Sequence, residues 1–192
     1  MPFSDLAENY WRLGLDYYIA ARYSVLVRLT PTAGNQFHHA VEMLLKGDLA
    51  DTTSASERRN LGHKLSKVWR AFKDKAADST LDQFDATVAE LDKFEDIRYP
   101  ENLVGKGAGI LFDWTPHGSP RPAGRISRGT AAPVPEYKLY VCDIDRLVAT
   151  IIDKCGFNLG FFTVGMHEDA TKFLVIYNAF IAGDLPTRTS VK

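Results

Sequence analysis

The segment from Asn35 to Gly47, NQFHHAVEMLLKG, has two adjacent histidines and a glutamate, side chains able to bind a metal or transfer a proton, at the front of an apolar run. If it is helical, His38 and Glu42 project from the same side and could contact one ion, while His39 lies opposite the apolar face. A metal site needs a third ligand, and no H-E-x-x-H or E-x-x-H pattern supplies one. We therefore predict flank histidines bonded to carboxylate or solvent, with no metal and no cofactor.

A second group of candidates is basic and lies around the predicted third helix, about Leu61 to Ala77. Its outer face would carry three cationic or titratable residues, and two arginines would precede its N-terminus, where backbone N–H groups favour anions. Such a sector suits phosphate binding, and the alternative is a solvated helix face. The residues are Arg58, Arg59, His63, Lys67 and Arg70.

Four further arginines are candidates for binding a polyanion. Arg98 either binds a phosphate or pairs with a neighbouring carboxylate. Arg121, Arg125 and Arg128 lie in the Gly- and Pro-rich segment 115–135, which contains no acidic residue. Regular basic spacing of this kind suits RNA, and the alternative is a solubilising connection.

Glycine-rich and nucleophile motifs do not support other activities. The GKGAG stretch at Gly105–Gly109 lacks the G-x-x-x-x-G-K-[ST] pattern of a phosphate-binding loop. No G-x-S-x-G motif is present either.

The predicted first helix, from about Asp5 to Leu29, has apolar residues on more than one side. A helix of this kind is central to a bundle or packs against a second chain, so we predict a homodimer through it. One row is Leu6, Tyr10, Leu13, Tyr17, Ala20, Ser24 and Val27, and the other is Trp11, Leu15, Tyr18, Arg22 and Val25.

Three more amphipathic helices complete a predicted antiparallel bundle in residues 1–101. They are expected at about Gly34 to Leu45, Leu61 to Ala77, and from a cap at Ser79 or Thr80 onward.

The second part, 102–192, is expected to pack on this bundle. ILFDW and EYKLYV read as strands of a short β-hairpin joined by segment 115–135, and helices are expected from Asp143 to Gly156 and from His167 to Phe180. The predicted fold class is mainly α.

The N-terminal half, about Asp5 to Glu101, resembles the HEPN families, small helical bundles related to nucleotide- and RNA-binding proteins. NQFHHAVEMLLKGDL, a polar link and LGHKLSKVWRAF carry the resemblance. HEPN ribonucleases use an Arg-x(4–6)-His motif on a late helix. Arg58 and His63 match its spacing, but they precede the third helix, and about one such match arises by chance in a chain of this composition. The resemblance therefore implies a non-catalytic member, or one with a different activity.

Composition sets the remaining expectations. The 192 residues have a formal charge of -1, so attraction to nucleic acid must be local. The N-terminus lacks a signal-peptide pattern, no apolar stretch is long enough to span a membrane, and the two cysteines form no CxxC pair. We predict a reduced, cytoplasmic protein.

These observations favour a protein that binds nucleotide or RNA without catalysis. Two alternatives stay open: an interaction module that binds a partner protein and no ligand, and a hydrolase acting on RNA or a nucleotide. The hydrolase would require His38, Glu42 and His63 to converge across the second and third helices.

Overall fold

The structure is a computed structural model that describes residues 3–99, 101, 109–114, 136–160, 166–175 and 178–181. Within these residues the chain is mainly helical. Two 3-10 helices, Ser79–Phe84 and Lys93–Glu95, flank α5. The α-helices are α1 (Asp5–Leu26), α2 (Thr30–Leu49), α3 (Ala55–Leu61), α4 (Leu65–Ala76), α5 (Asp85–Asp92), α6 (Val141–Cys155) and α7 (Glu168–Val175).

Helices α1 and α2 form a close helical pair at the centre of the fold. Trp11 Nε1 donates a hydrogen bond to the Leu44 carbonyl oxygen at 3.2 Å. A Cβ atom added at Gly47 would lie 2.3 Å from Trp11 Cδ1, so glycine is required for the indole to approach α2. Helix α2 begins four residues before the predicted start because Pro31 occupies its first turn, where no intrahelical N–H is needed.

The predicted single third helix is two helices. Ser54 and Glu57 form a capping box that starts α3 in what we expected to be a polar link. Gly62 then adopts φ 61°, a left-handed conformation that ends α3 and breaks the helical path before α4. His63 therefore lies in a turn between α3 and α4. The 3-10 helix that follows α4 is capped by Asp78, one residue before the predicted cap.

The two predicted strands exist, as β1 (Gly109–Asp113) and β2 (Glu136–Tyr140), but the predicted hairpin is wrong. The strands are parallel, with Gly109 opposite Glu136 and Asp113 opposite Tyr140. A hairpin is normally closed by two to about five residues, whereas parallel strands need a crossover of about a dozen or more. The sequence between Asp113 and Glu136 is long enough for the crossover that parallel strands need. Its length is the feature of the sequence that argues against a hairpin.

Residues from both sides of position 101 share one hydrophobic core. Phe37 and Phe94 from the N-terminal part pack with Phe112 of β1, and Phe94 also contacts Tyr137 of β2. Helix α6 adds Ile144, Leu147, Val148 and Ile151 to the same buried cluster. No helix among the described residues is both long and apolar enough to cross a membrane.

Candidate functional site

Glu42 is the buried centre of a group of polar side chains that we call the groove cluster: His38, His39, Glu42, Lys46 and His63. The Glu42 carboxylate is fully buried. Its Oε1 atom accepts hydrogen bonds from Lys46 Nζ at 2.6 Å and His63 Nδ1 at 3.0 Å, and its Oε2 atom lies 3.3 Å from His39 Nδ1. The sequence had suggested His38 and Glu42 as one group, joined by His63 in the hydrolase alternative, and the fold adds Lys46 to it.

The pKa of Glu42 reflects this environment. Burial alone would raise the pKa of the carboxyl group, but hydrogen bonds from His39 and Lys46, together with the charges of Lys46 and His63, lower it to about 2. Glu42 is thus an anion that binds donors from its own helix, α2, and from the turn between α3 and α4.

His38, His39 and Glu42 also meet the geometric condition for a metal site, because one ligand atom of each lies within 4.8 Å of the others. Two contacts oppose that use. The Lys46 ammonium group already occupies Glu42 at 2.6 Å, and both ring nitrogens of His38 lie 3.1 Å from backbone carbonyl oxygens. Because these contacts already use the ligand atoms of Glu42 and His38, they favour the absence of a bound metal. That absence stays a prediction.

A groove of about 410 Å³ opens beside this cluster, between α1, the C-terminal part of α2, and α3. Lys46, Arg58, Arg59 and His63 line its basic side, and no acidic residue is among the residues that line it. The remaining lining residues are Leu6, Tyr10, Ala55 and Gly62. Three of the basic residues were predicted from the sequence, but Lys46 and Tyr10 were not.

The arginine and lysine candidates differ in how much of their hydrogen-bonding capacity is already used. Arg58 donates to the Ala50 carbonyl oxygen at 2.8 Å and to the carbonyl oxygen of Thr53, so it also braces the end of α2. Arg59 is exposed and has no side-chain hydrogen bond or ion pair to any described residue. Its guanidinium group is thus the one best able to bind an incoming anion.

The other candidates do not line the groove. Lys67 and Arg70 lie on the exposed face of α4. Arg98 pairs with Glu95 at 3.3 Å, which is the structural alternative considered from the sequence. Arg121, Arg125 and Arg128 lie outside the described residues.

His63 connects the buried carboxylate to the groove. Its side chain is 64% exposed, its Nδ1 atom bonds Glu42, and no described residue hydrogen-bonds to its Nε2 atom. A carboxylate that orients an imidazole in this way leaves the second ring nitrogen available to bind an anion or transfer a proton. Of the three residues that a hydrolase would bring together, Glu42 and His63 are therefore in direct contact.

A second buried polar group, which we call the sealed cluster, consists of Tyr18, Arg22, Asp145 and Asn178. Arg22 forms an ion pair with Asp145, and both side chains are fully buried. Tyr18 donates to Asp145 Oδ1 at 2.5 Å and accepts from Asn178 Nδ2 at 2.9 Å.

Sequence reasoning missed the sealed cluster, although a signal existed. Arg22 interrupts the second, otherwise apolar row of α1. Asp145 likewise interrupts the apolar face that α6 buries. Two opposite charges on predicted core faces indicate a buried ion pair, since neither would be buried alone.

Comparison with known proteins gave no matching family model, no matching curated protein and no matching solved structure.

Proposed function

We propose that the protein binds a phosphate-bearing ligand, a nucleotide or single-stranded RNA, in the groove between α1, α2 and α3. One observation carries the proposal: Lys46, Arg58, Arg59 and His63 line one groove, and no acidic residue of the described ranges lines it. Phosphate groups are bound by arginine and lysine, and RNA bases stack on aromatic rings, for which Tyr10 is available at the groove.

Two other cavities of the described part have a different electrostatic character. The cavity of about 350 Å³ between α5 and β2 combines Lys138 and Arg146 with Glu90 and Asp143. The cavity of about 500 Å³ near the N-terminus contains Asp48 and Asp51 with Lys75. Mixed or acidic lining disfavours a polyanion, so the groove is the better site for phosphate.

The test is binding of adenosine monophosphate and of a short single-stranded RNA to the full chain at low salt, measured by calorimetry and fluorescence anisotropy. Arg59→Ala should weaken RNA binding about threefold to tenfold and lower the slope of log affinity against log salt by about 0.7, the value for one lost phosphate contact. Unrelated RNA sequences should be affected alike, because phosphate contacts do not read bases.

Lys172→Ala is the matched control, since Lys172 is exposed on α7 and belongs to neither polar cluster. It should leave binding unchanged. Absence of binding to either probe at low salt would refute the proposal. Cleavage of the RNA that is lost in His63→Ala, with the fold intact, would replace it with the hydrolase alternative.

A second candidate function is self-association through α1, and the exposure of apolar residues on this helix favours it. The first of the two rows on α1 has exposed apolar residues, with Leu6 42%, Leu13 44% and Val27 44% exposed, whereas the second row, which includes Tyr18, lies in the core. Exposed apolar residues in a continuous stripe commonly mark an interface.

The spacing along α1 suits an antiparallel pair. Aligning Leu6 with Val27, the residue that caps the helix, of the second copy also aligns Leu13 with Ala20 of the second copy. Such a contact is self-complementary, as a two-fold dimer requires.

Light scattering should then give about twice 21.4 kDa at micromolar concentration. Leu13→Glu should return the mass to that of one chain, while Ala89→Glu on the exposed face of α5 should not. A wild-type protein that stays monomeric over this range would exclude the dimer.

A further inference from the structure

The exposed face of α4 carries cations that do not line the groove. Lys64 caps the N-terminus of this helix, and Lys67 and Arg70 follow at intervals of three residues, so the three side chains lie on neighbouring turns. All three are exposed, and none has a side-chain hydrogen bond or ion pair to any described residue. Lys73 of the same helix, in contrast, donates to Asp85 at 2.8 Å. Lys64, Lys67 and Arg70 therefore have donors available for an external anion.

This row of cations continues the basic side of the groove. Arg59 and His63 line the groove, and His63 also lines a further cavity of about 280 Å³, the turn cavity, which Lys64 borders. Because Lys64 follows His63 in the chain and begins α4, the groove and the row meet at this turn. We call the whole set the basic track: Arg59, His63, Lys64, Lys67 and Arg70.

Acidic residues limit the path that a polyanion can take from the groove. Asp92, Glu95 and Asp96 line the turn cavity, so a phosphate chain is repelled from that side. On the exposed face of α4, Asp74 follows Arg70 by about one turn and marks the end of the track. The path of lowest repulsion thus runs from the groove along the first half of α4.

The length of the track indicates a polymer and not a single nucleotide. The groove, of about 410 Å³, has the size of a small-ligand site. Lys64 and Arg70 are six positions apart in the sequence, which corresponds to about 9 Å along the helix axis. A stacked nucleic acid strand places a phosphate about every 3.4 Å, so the row spans about two to three phosphates beyond the groove. A mononucleotide bound in the groove has no phosphate to place there.

We propose that the groove is one end of a longer site, and that its ligand is a single-stranded oligonucleotide that leaves the groove past His63 and runs along α4. Lys67 and Arg70 each bind one phosphate outside the groove, while a base stacks on Tyr10 inside it. This inference rests on the proposed function, because the strand begins in the groove. It goes further in requiring a ligand of several nucleotides.

The experiment compares adenosine monophosphate with hexaadenylate on the full chain, by calorimetry over a range of salt concentrations. Hexaadenylate should bind about tenfold more tightly at low salt, because it makes more phosphate contacts. The double variant Lys67→Ala, Arg70→Ala should weaken hexaadenylate binding about tenfold. It should also lower the slope of log affinity against log salt by about 1.4, the value for two lost phosphate contacts. Its affinity for the monophosphate should not change, because neither residue lines the groove.

The double variant Lys154→Ala, Lys172→Ala is the matched control, because it removes the same two charges from α6 and α7. It should leave both affinities and the salt slope unchanged. Asp74→Asn tests the track in the opposite direction. It removes a negative charge near Arg70, so it should tighten hexaadenylate binding about twofold, a gain that a damaged fold does not produce.

The possible failures are distinguishable. Hexaadenylate that binds no more tightly than the monophosphate, or a salt slope that Lys67→Ala, Arg70→Ala does not change, would overturn the inference and leave the proposed function intact. An equal loss in the control variant would also overturn it, since net charge and not the track would be responsible. A duplex of the same length that binds as tightly would exclude the single-stranded ligand, because paired bases do not stack on Tyr10. Absence of binding to both ligands would refute the proposed function as well.

Discussion

The protein buries two groups of charged side chains, and they differ in their relation to solvent. In the sealed cluster, Arg22 and Asp145 are both fully buried and lie in the core between α1 and α6. In the groove cluster, Glu42 is fully buried but is bound by His63, which is 64% exposed, and by Lys46, which lines the groove. One cluster has the contacts of a structural ion pair, and the other joins a buried anion to a basic surface.

This difference separates two uses of buried charge. A fully buried pair gains little net stability over apolar residues, yet removing one partner is costly, so it fixes which elements pack together. A buried carboxylate that bonds to surface cations orients their donors toward a ligand while limiting their positive charge. Changes in the sealed cluster should therefore affect stability alone, whereas changes in the groove cluster should affect stability and binding.

The largest expected effect follows removal of one partner from the sealed cluster. Asp145→Ala leaves the fully buried Arg22 without its carboxylate and should lower the free energy of unfolding by about 3–5 kcal/mol. Urea denaturation would measure it. The double variant Arg22→Met, Asp145→Leu should recover most of the loss. A loss of stability below about 1 kcal/mol in the single variant would show that the ion pair is accessible to solvent and not buried.

Acid should affect the two clusters with opposite sign. The folded-state pKa of Glu42, about 2, lies below its ordinary 4.5, so its stabilisation is present above pH 4.5 and is lost as pH falls toward 2, on the order of 3 kcal/mol. Burial raises the pKa of Asp145 above 3.8, more than Arg22 and Tyr18 lower it, so its charged form opposes folding and this cost disappears as pH falls.

Urea denaturation between pH 6 and about pH 2.5 distinguishes these contributions. Glu42→Gln should make the acid loss of stability shallower, and Asp145→Asn should make it steeper. Equal acid profiles for the wild type and Glu42→Gln would contradict the low pKa of Glu42.

Replacing Glu42 should also reveal the link to binding. Glu42→Gln should lower the free energy of unfolding by about 2 kcal/mol, since Lys46 and His63 lose a charged acceptor. It should also tighten phosphate binding about threefold, because one negative charge behind the groove is removed. Calorimetry with adenosine monophosphate measures the second effect, and unchanged or weaker affinity in a folded variant would show that Glu42 only positions the cations.

The two adjacent arginines of the groove should separate structure from binding. Arg58→Ala should cost about 1–2 kcal/mol, because its hydrogen bonds to the carbonyl oxygens of Ala50 and Thr53 are lost. Arg59→Ala should change stability by less than about 0.5 kcal/mol. Thermal unfolding of both variants is the measurement, and similar losses in both would indicate an unrecognised structural role for Arg59.

The smallest expected effect is that of a chelator. Because Lys46 occupies Glu42 and His38 is bound by carbonyl oxygens, removing metal ions should leave the melting temperature unchanged. Elemental analysis should find far less than one zinc, iron or manganese per chain. Close to one metal per chain, or a lower melting temperature with chelator, would reverse this prediction.

The helical class and the positions of the strands could be predicted from the sequence because they depend on local periodicity. The hairpin prediction failed because strand direction is set by the path of the connection and by packing, which periodicity does not describe. The division between α3 and α4 was missed because Gly62 in LGHKL was taken into a helical pattern, whereas its left-handed backbone ends the helix.

The site was only partly predictable for a related reason. Arg58, Arg59 and His63 are near one another in sequence, so their charge could be recognised as a group. Lys46 is twelve positions before Arg58 in the sequence, and its ammonium group reaches the Gly62 carbonyl at 2.7 Å only because α2 passes beside the turn. Contacts between elements of this kind need the tertiary fold, and one sequence without structure does not contain them.

The sealed cluster also has a consequence for the order in which the chain folds. Helices α1 and α2 are consecutive, and contacts between neighbouring segments form early. Arg22 and Asp145 are 123 positions apart, and Tyr18 and Asn178 are 160 apart, so these bonds close only after most of the chain has been synthesised. Until then the guanidinium group of Arg22 lacks the Asp145 carboxylate with which it is buried. A chain truncated before residue 145 would thus lose this ion pair on the face that α1 has to bury, which favours its unfolding and degradation over a stable incomplete fold.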